Sequence, residues 1–282
     1  MMRSMFRRGA PADPFDAPDR PSARDEVLAA LAPWVAAHRR PAWRPRVAPG
    51  EPAGARSTFG GRAWLAPGEA PPACGVCGRP LPLLLQLDLG ALPAELAGRY
   101  GSGLLQLFAC DQDACAAEGA WAAFSDVASL VRVVPASERS VAPSTAPAAG
   151  FPASAIVGWE RFDDQPDPED HELAGLTAAY DVDLRTVTLR CPEVGVQATV
   201  PLDDLEVDDI ARAAEGDKLA GWPSWVQARD YPNCPTCGEA MRVVFQLASD
   251  DHLSFGFGDT GIGHVTQCPT HLRTVAFAWS AS

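Results

Sequence analysis

Apolar residues in this chain fall mostly into short runs bounded by Gly and Pro, not into long helical stripes. Leu83–Leu89 and Val243–Leu247 are nearly continuous runs, each entered through a Gly turn, and both read as buried strands. Leu104–Ala109 and His264–Gln267 read as their neighbours, and the aromatic stretches Trp121–Phe124 and Phe277–Trp279 as closing strands. Ile156–Phe162, Thr186–Leu189 and Gln197–Val200 are also strand-like. Helical spacing occurs once with force, in Val27, Leu28, Leu31, Trp34 and Val35. Ser22 is placed to cap that helix, with Asp25 and Glu26 in its first turn, and Pro33 predicts a kink or an early end. A short acidic helix is expected over Leu202–Ala214.

The strand runs repeat. CGVCGRPLPLLLQL (74–87) aligns without a gap on CPTCGEAMRVVFQL (234–247), setting Gln86 against Gln246. Farther on, GLLQLFAC (103–110) aligns with GIGHVTQC (261–268). Gly-Gly-Arg-Ala-Trp64 precedes the first cysteine pair, and Gly-Trp-Pro-Ser-Trp225 the second. The expected architecture is α+β and strand-rich, with two pseudo-repeated halves, each carrying a CxxC knuckle, packed as one bilobed unit. The expected boundaries are a disordered tail (1–22), a helix and Pro-rich connector (23–56) and a first repeat unit (57–135). A loop and acidic middle segment (136–217) and a second repeat unit (218–282) follow.

Composition adds partners to exclude. The 282 residues carry a net charge of −13, unevenly spread. Residues 1–62 hold 11 Arg against 6 Asp/Glu (11 − 6 = +5), while residues 160–217 hold 4 Arg against 17 (4 − 17 = −13). A polyanion needs a basic face, so nucleic acid is not an expected partner, whereas the acidic span suits a basic protein. No apolar run is long enough to cross a membrane and the N-terminus lacks a signal-like apolar core, so the expected compartment is the cytoplasm. Thiols stay reduced there, and paired cysteines more often hold metal than form disulfides.

Eight cysteines are present. The first unit offers Cys74-x2-Cys77 and Cys110-x4-Cys115; the second offers Cys234-x2-Cys237 and Cys268-x2-His271. Two knuckles carried on neighbouring strands would supply four N/S ligands each, as a structural zinc ion requires, giving one or two ions. The redox alternative needs a CxxC at a helix N-terminus, but here Gly and a strand follow. The looser Cys110–Cys115 spacing leaves room for an Asp to compete as ligand. Cys191 belongs to neither set and reads as a small buried residue.

Other chemistry is thinner. Asp250, Asp251, His252 and Asp259 in the Gly-rich segment form the one candidate acid/base set, for a hydrolase, although turn chemistry explains the same residues. The glycines at 256, 258, 261 and 263 lack a phosphate-binding lysine, since the sole Lys is Lys218, and nucleotide binding is not expected. Trp64, Trp222 and Trp225 read as core packing before they read as a peptide groove.

The blocks FGGRAWL, CGRPLPLLLQL, FQLASDD and FGDTGIGHVTQCPTH, in this order, resemble the YwqG-like bacterial proteins and the related eukaryotic programmed cell death protein 2 family. The resemblance covers roughly residues 57–124 and 218–280. It implies a strand-rich fold of two related halves and a protein-binding role without catalysis. Eukaryotic members are similar to chaperones dedicated to a ribosomal protein, and some bacterial members are suspected toxin-immunity proteins. The chain departs from the eukaryotic pattern in having only Cys191, and no further zinc finger, between the halves. The resulting expectation is a non-enzymatic, zinc-stabilised escort for a basic client, with toxin neutralisation as an alternative.

Overall fold

The computed structural model describes residues 21–51, 56–112, 115, 122–125, 127–135 and 150–282, so the expected N-terminal tail and most of the 136–155 loop lie outside the described residues. Helix α1 spans Ala23–Ala37 and starts as its sequence demands. Ser22 Oγ accepts from Asp25 N at 3.2 Å, and the Asp25 carboxylate accepts in return from Ser22 N at 3.2 Å. Pro33 lies inside the helix, which continues past it to Ala37. Ala29 and Pro33 both face solvent, so water can take the carbonyl that proline leaves without a donor. Val27, Leu31 and Trp34 form the buried stripe.

The Pro-rich stretch expected as a connector is a strand, β1 (Arg40–Pro49), paired along its length with β6 (Ser154–Asp164). Its other edge meets β10 (Lys218–Ala220) only at Ala42 and Trp43, leaving an open edge where proline costs little. On the β6 side, β2 (Thr58–Phe59) leads to β3 (Leu83–Asp88), β4 (Leu104–Ala109) and β5 (Ser129–Val134). On the β1 side, β10 leads to β11 (Arg242–Ala248), β12 (Ile262–Gln267) and β13 (Val275–Ser280). These ten strands make one sheet, and its two ends, β5 and β13, lie against each other so that it nearly closes. The strand closing the first arm is therefore β5, not the Trp121–Phe124 segment, whose described residues 122–125 carry no strand.

The two arms share one core. Leu84, Leu85 and Leu87 of β3 and Val244, Phe245 and Leu247 of β11 share one core with Trp43 and Tyr100. A second sheet, β7 (Thr177–Asp181), β8 (Thr186–Cys191) and β9 (Val196–Pro201), packs Val187, Leu189 and Cys191 against Leu31 and Trp34 of α1. The acidic helix expected over 202–214 reduces to a single 3-10 turn, Val207–Asp209. Leu205, Ile210, Ala211 and Ala213 are buried in this second core at a spacing that no single helical face provides.

Candidate metal centres and the buried polar network

Each CxxC sits in a tight turn between a short bridge and a strand. In the first, Cys74 N donates to Arg79 O at 2.8 Å and Gly78 N to Cys74 O at 2.8 Å; in the second, Cys234 N donates to Glu239 O at 2.9 Å and Gly238 N to Cys234 O at 2.8 Å. Gly78 (φ +71°) and Gly238 (φ +72°) hold left-handed backbone that an L side chain resists. The turns deliver two thiols to the end of β3 and of β11. Cys110 and Cys268 then arrive directly after β4 and β12, the neighbouring strands.

The donor atoms of Cys74, Cys77, Cys110 and Cys115 lie within 4.8 Å of one another, and so do those of Cys234, Cys237, Cys268 and His271. Cys77 and Cys110 sulfurs are 3.8 Å apart, and Cys237 and Cys268 sulfurs 3.7 Å. His271 Nδ1 stands 3.8 Å from Cys234 Sγ and 3.6 Å from Cys268 Sγ. Two sulfurs on one tetrahedral ion with bonds of about 2.3 Å sit about 3.8 Å apart, whereas a disulfide holds them at about 2.05 Å. Both clusters therefore have the spacing of a four-coordinate metal centre and could hold such an ion. In each cluster one cysteine, Cys77 or Cys237, is exposed and the other cysteines are buried. Backbone hydrogen bonding at Arg79 brings the Cys77 thiol down to about 6, while burial pushes Cys115 up to about 12. The Cys268 sulfur also accepts from His271 N at 3.1 Å, a charge-dispersing bond suited to a bound thiolate.

The acid/base set proposed from the Gly-rich segment does not converge. Asp250 and Asp259 line an open cleft of about 590 Å³ with Arg212 and Trp225. Asp251 and His252 instead turn to Asp217, a residue that no sequence pattern singles out. His252 Nδ1 lies 2.9 Å from Asp217 Oδ2 and 3.4 Å from Asp251 Oδ1. These three side chains also come within 4.8 Å of one another. Their oxygens are already engaged by backbone: Ala248 N donates to Asp217 Oδ1 at 2.7 Å, and Asp217 N to Asp251 Oδ2 at 2.6 Å. His252 stacks on Phe59 with ring centroids 5.1 Å apart. The group ties the segment before β10 to the turn after β11. Asp250 carries a left-handed backbone (φ +56°), which fits the turn chemistry of the Ser-Asp-Asp-His run.

A second network has no counterpart among the sequence expectations. Lys218, only 1% exposed, donates to Asp164 Oδ2 at 2.8 Å inside the protein. The same carboxylate accepts from Trp222 N at 3.0 Å and Ala214 N at 2.9 Å. Close by, Asp170 Oδ2 accepts from Trp225 Nε1 and Tyr231 OH, both at 2.9 Å, and Trp225 lies 4.5 Å from the His264 ring. Burial pushes Asp167 up to about 7 and His264 down to about 3. The signal for this centre was available: a solitary lysine, in a chain rich in carboxylates, at the start of a strand.

Geometry also recurs at an offset of 160 residues (246 − 86). Thr58 pairs with Gln86 as Lys218 pairs with Gln246, and register shifts fall between Leu83 and Leu85 and between Val243 and Phe245. Trp64 N donates to Gln86 Oε1 at 3.0 Å, and Ser224 N to Gln246 Oε1 at 2.8 Å. The two amide groups donate in turn to Arg56 O and Gly216 O, each at 2.8 Å.

Among known proteins, residues 57–280 match the sequence model of the family described as Domain of unknown function (DUF1963). The chain belongs to that family. A 34-residue stretch is 50% identical to the Uncharacterized protein YpfL of Salmonella typhimurium, covering 12% of this chain and 8% of the relative's length.

Proposed function

We propose, for this member of a family whose description assigns no activity, a non-enzymatic protein-binding role in which both four-donor clusters hold structural zinc. The observation that carries the zinc assignment is the closure of the clusters. Four protein donors, three or four of them thiolates, match zinc's preference and leave no coordination position for a substrate or an activated water. Zinc at these points would staple each CxxC turn to the neighbouring strand of its arm. A hydrolytic centre is the weaker reading, since Asp250 and Asp259 line one cleft while Asp251 and His252 turn to Asp217.

The partner is a basic protein, escorted in the manner of a chaperone client. Support comes from the acidic span of residues 160–217, which runs from the end of β6 through β7–β9; Asp164, Asp167, Asp170 and Asp217 are buried, and its other carboxylates are exposed. The fold is the product of an internal duplication, as the 160-residue recurrence of register and side-chain clamps suggests. The YwqG-like resemblance points the same way.

Copurification of the full chain with soluble extract, read by mass spectrometry at low and high salt, tests the role. Basic proteins released by salt are the expected catch, and recovery of none contradicts the role. Metal analysis tests the staple: one to two equivalents of zinc are expected, and Cys234→Ser loses one of them. Unchanged zinc in that variant removes the second site.

A further inference from the structure

Strand β7 is anomalous within its sheet. Opposite residues of an antiparallel pair share a face, so Ala178 and Tyr180, facing Leu189 and Val187, lie on the core side. Leu189 (0% exposed) and Val187 (1%) are buried there against the α1 side of the second core. Ala178 and Tyr180 are nevertheless exposed, Tyr180 by 55%. The core face continues onto β7 and stops uncovered. Val182 (79% exposed) and Leu184 (72%) extend this apolar surface past the strand end. No strand pairs with the outer edge of β7 among the described residues, so its backbone ladder is open.

The surroundings select what can cover it. Asp181 and Asp183 stand exposed in the same stretch, and burial together with the Asp208 and Glu169 carboxylates raises the Tyr180 phenol. The nearby cations are Arg185, which is held by Asp203 at 2.6 Å, and Arg190, across from Thr177. A second copy of this chain would bring carboxylates against carboxylates, and nucleic acid or an anionic bilayer would meet charge of its own sign. The geometry points to the outer edge of β7 as the docking site for an extended, basic segment of a partner protein, added as a fourth strand with its apolar side chains on Ala178 and Tyr180. Main-chain hydrogen bonds would supply affinity, alternate apolar side chains would fill the shelf beside Asp208 and Glu169, and Arg or Lys at the other positions would meet Asp181 on the opposite face. This location rests on the basic-partner reading above and can fail without it.

The probe is a synthetic twelve-residue peptide alternating Arg and Val, mixed with the full chain at low salt and followed by binding titration and hydrogen exchange. Expected is slowed exchange confined to about residues 177–184, affinity that falls with salt, and a loss of roughly tenfold on N-methylating alternate peptide amides. Asp181→Asn, which keeps an oxygen for Leu184 N (accepted by Asp181 Oδ1 at 2.9 Å), combined with Asp183→Lys is expected to weaken binding by roughly tenfold while zinc content and circular dichroism stay unchanged. Binding with protection elsewhere and an unaffected double variant would overturn the site and leave the basic-partner role standing. Absence of binding at low salt would overturn the site as well, with copurification judging the role separately. Slow exchange in the free chain at the β7 amides that point away from β8 would also overturn it, because an occupant would already be in place.

Discussion

The two cysteine-bearing arms solve one backbone problem with different side chains. Gln86 and Gln246 clamp the chain entering each arm, accepting from Trp64 N in one and Ser224 N in the other. Around this shared clamp the arms diverge. The first arm keeps its charge farther out: Thr58 lies opposite Gln86, Gln106 Nε2 donates to Gln86 Oε1 at 2.8 Å, and the half-buried Arg132, paired with Glu69, donates to Gln106 Oε1 at 3.0 Å. In the second arm Lys218 takes the place of Thr58, and His264 lies across from Gln246 as Gln106 does from Gln86. Lys218 then needs Asp164, and a group of buried carboxylates gathers beside Trp225. Main-chain hydrogen bonding and metal-donor placement are what the arms hold in common, while buried charge is where they differ. The same contrast runs through the knuckles, which close with Cys115 in one arm and His271 in the other.

The largest effect should come from the feature the arms share. Cys74→Ser and Cys234→Ser each remove one donor and with it one metal ion. Losses on the order of 5 kcal/mol correspond to a melting temperature lower by roughly 10–20 °C. Calorimetry with metal analysis checks this, and a retained ion or an unchanged melting temperature separates that arm from the account. Next comes the charge confined to the second arm. Lys218→Met leaves Asp164 buried without its cation and is expected to cost about 3–5 kcal/mol by denaturant unfolding. Thr58→Val, at the matching position of the first arm, should cost no more than about 1–2 kcal/mol, the scale of its lost hydroxyl bonds. Equal costs would erase the distinction between the arms.

Gln86→Ala and Gln246→Ala should fall between these, about 2–4 kcal/mol each, because both orphan buried backbone groups. Like values sharpen the comparison and unlike values break it. The smallest effects are pH slopes peculiar to the second arm. His264 titrates at about 3 in the folded protein, below its ordinary 6.5, so the unfolded chain binds the extra proton and stability falls as pH drops from 6.5 towards 3. Asp167, raised from 3.8 to about 7, takes its proton in the folded state first, so its contribution grows over the same acid descent and is lost as pH rises. The two oppose each other. His264→Phe should flatten the acid decline and Asp167→Asn steepen it, each by up to about 1.4 kcal/mol per pH unit. Urea unfolding at pH 7 and pH 5 reads both signs, and shifts in the same direction would contradict the assignment.

The metal-capable clusters were legible because ligand spacing and a flanking strand are local patterns. All eight proposed donors converge in two groups of four, as CxxC with a second knuckle one strand away requires. The α1 cap was equally local. β1 was hidden because its prolines argue against a strand, and only the distant partner β6 makes it one. β5 was missed for a related reason: the sequence SLVRVV was outweighed by a more aromatic stretch upstream. The Lys218–Asp164 pair joins residues 54 positions apart, and Asp217–His252 joins residues 35 apart. Neither distance leaves a trace in periodicity. Burial of β8 and exposure of β7 likewise depend on where α1 ends up, which the pattern of β7 alone does not encode.

The central claim is that both arms close on a four-donor metal centre of the same geometry and different composition. X-ray absorption at the zinc edge of the full-length protein tests it most directly. One filled site would have four sulfur ligands, and the other three sulfurs and one nitrogen. The average shell should then hold about 3.5 sulfurs at about 2.3 Å and about 0.5 nitrogen near 2.0 Å, without a coordinated water. A shell rich in light atoms, or a protein free of zinc whose cysteines all titrate as unhindered thiols, would contradict it.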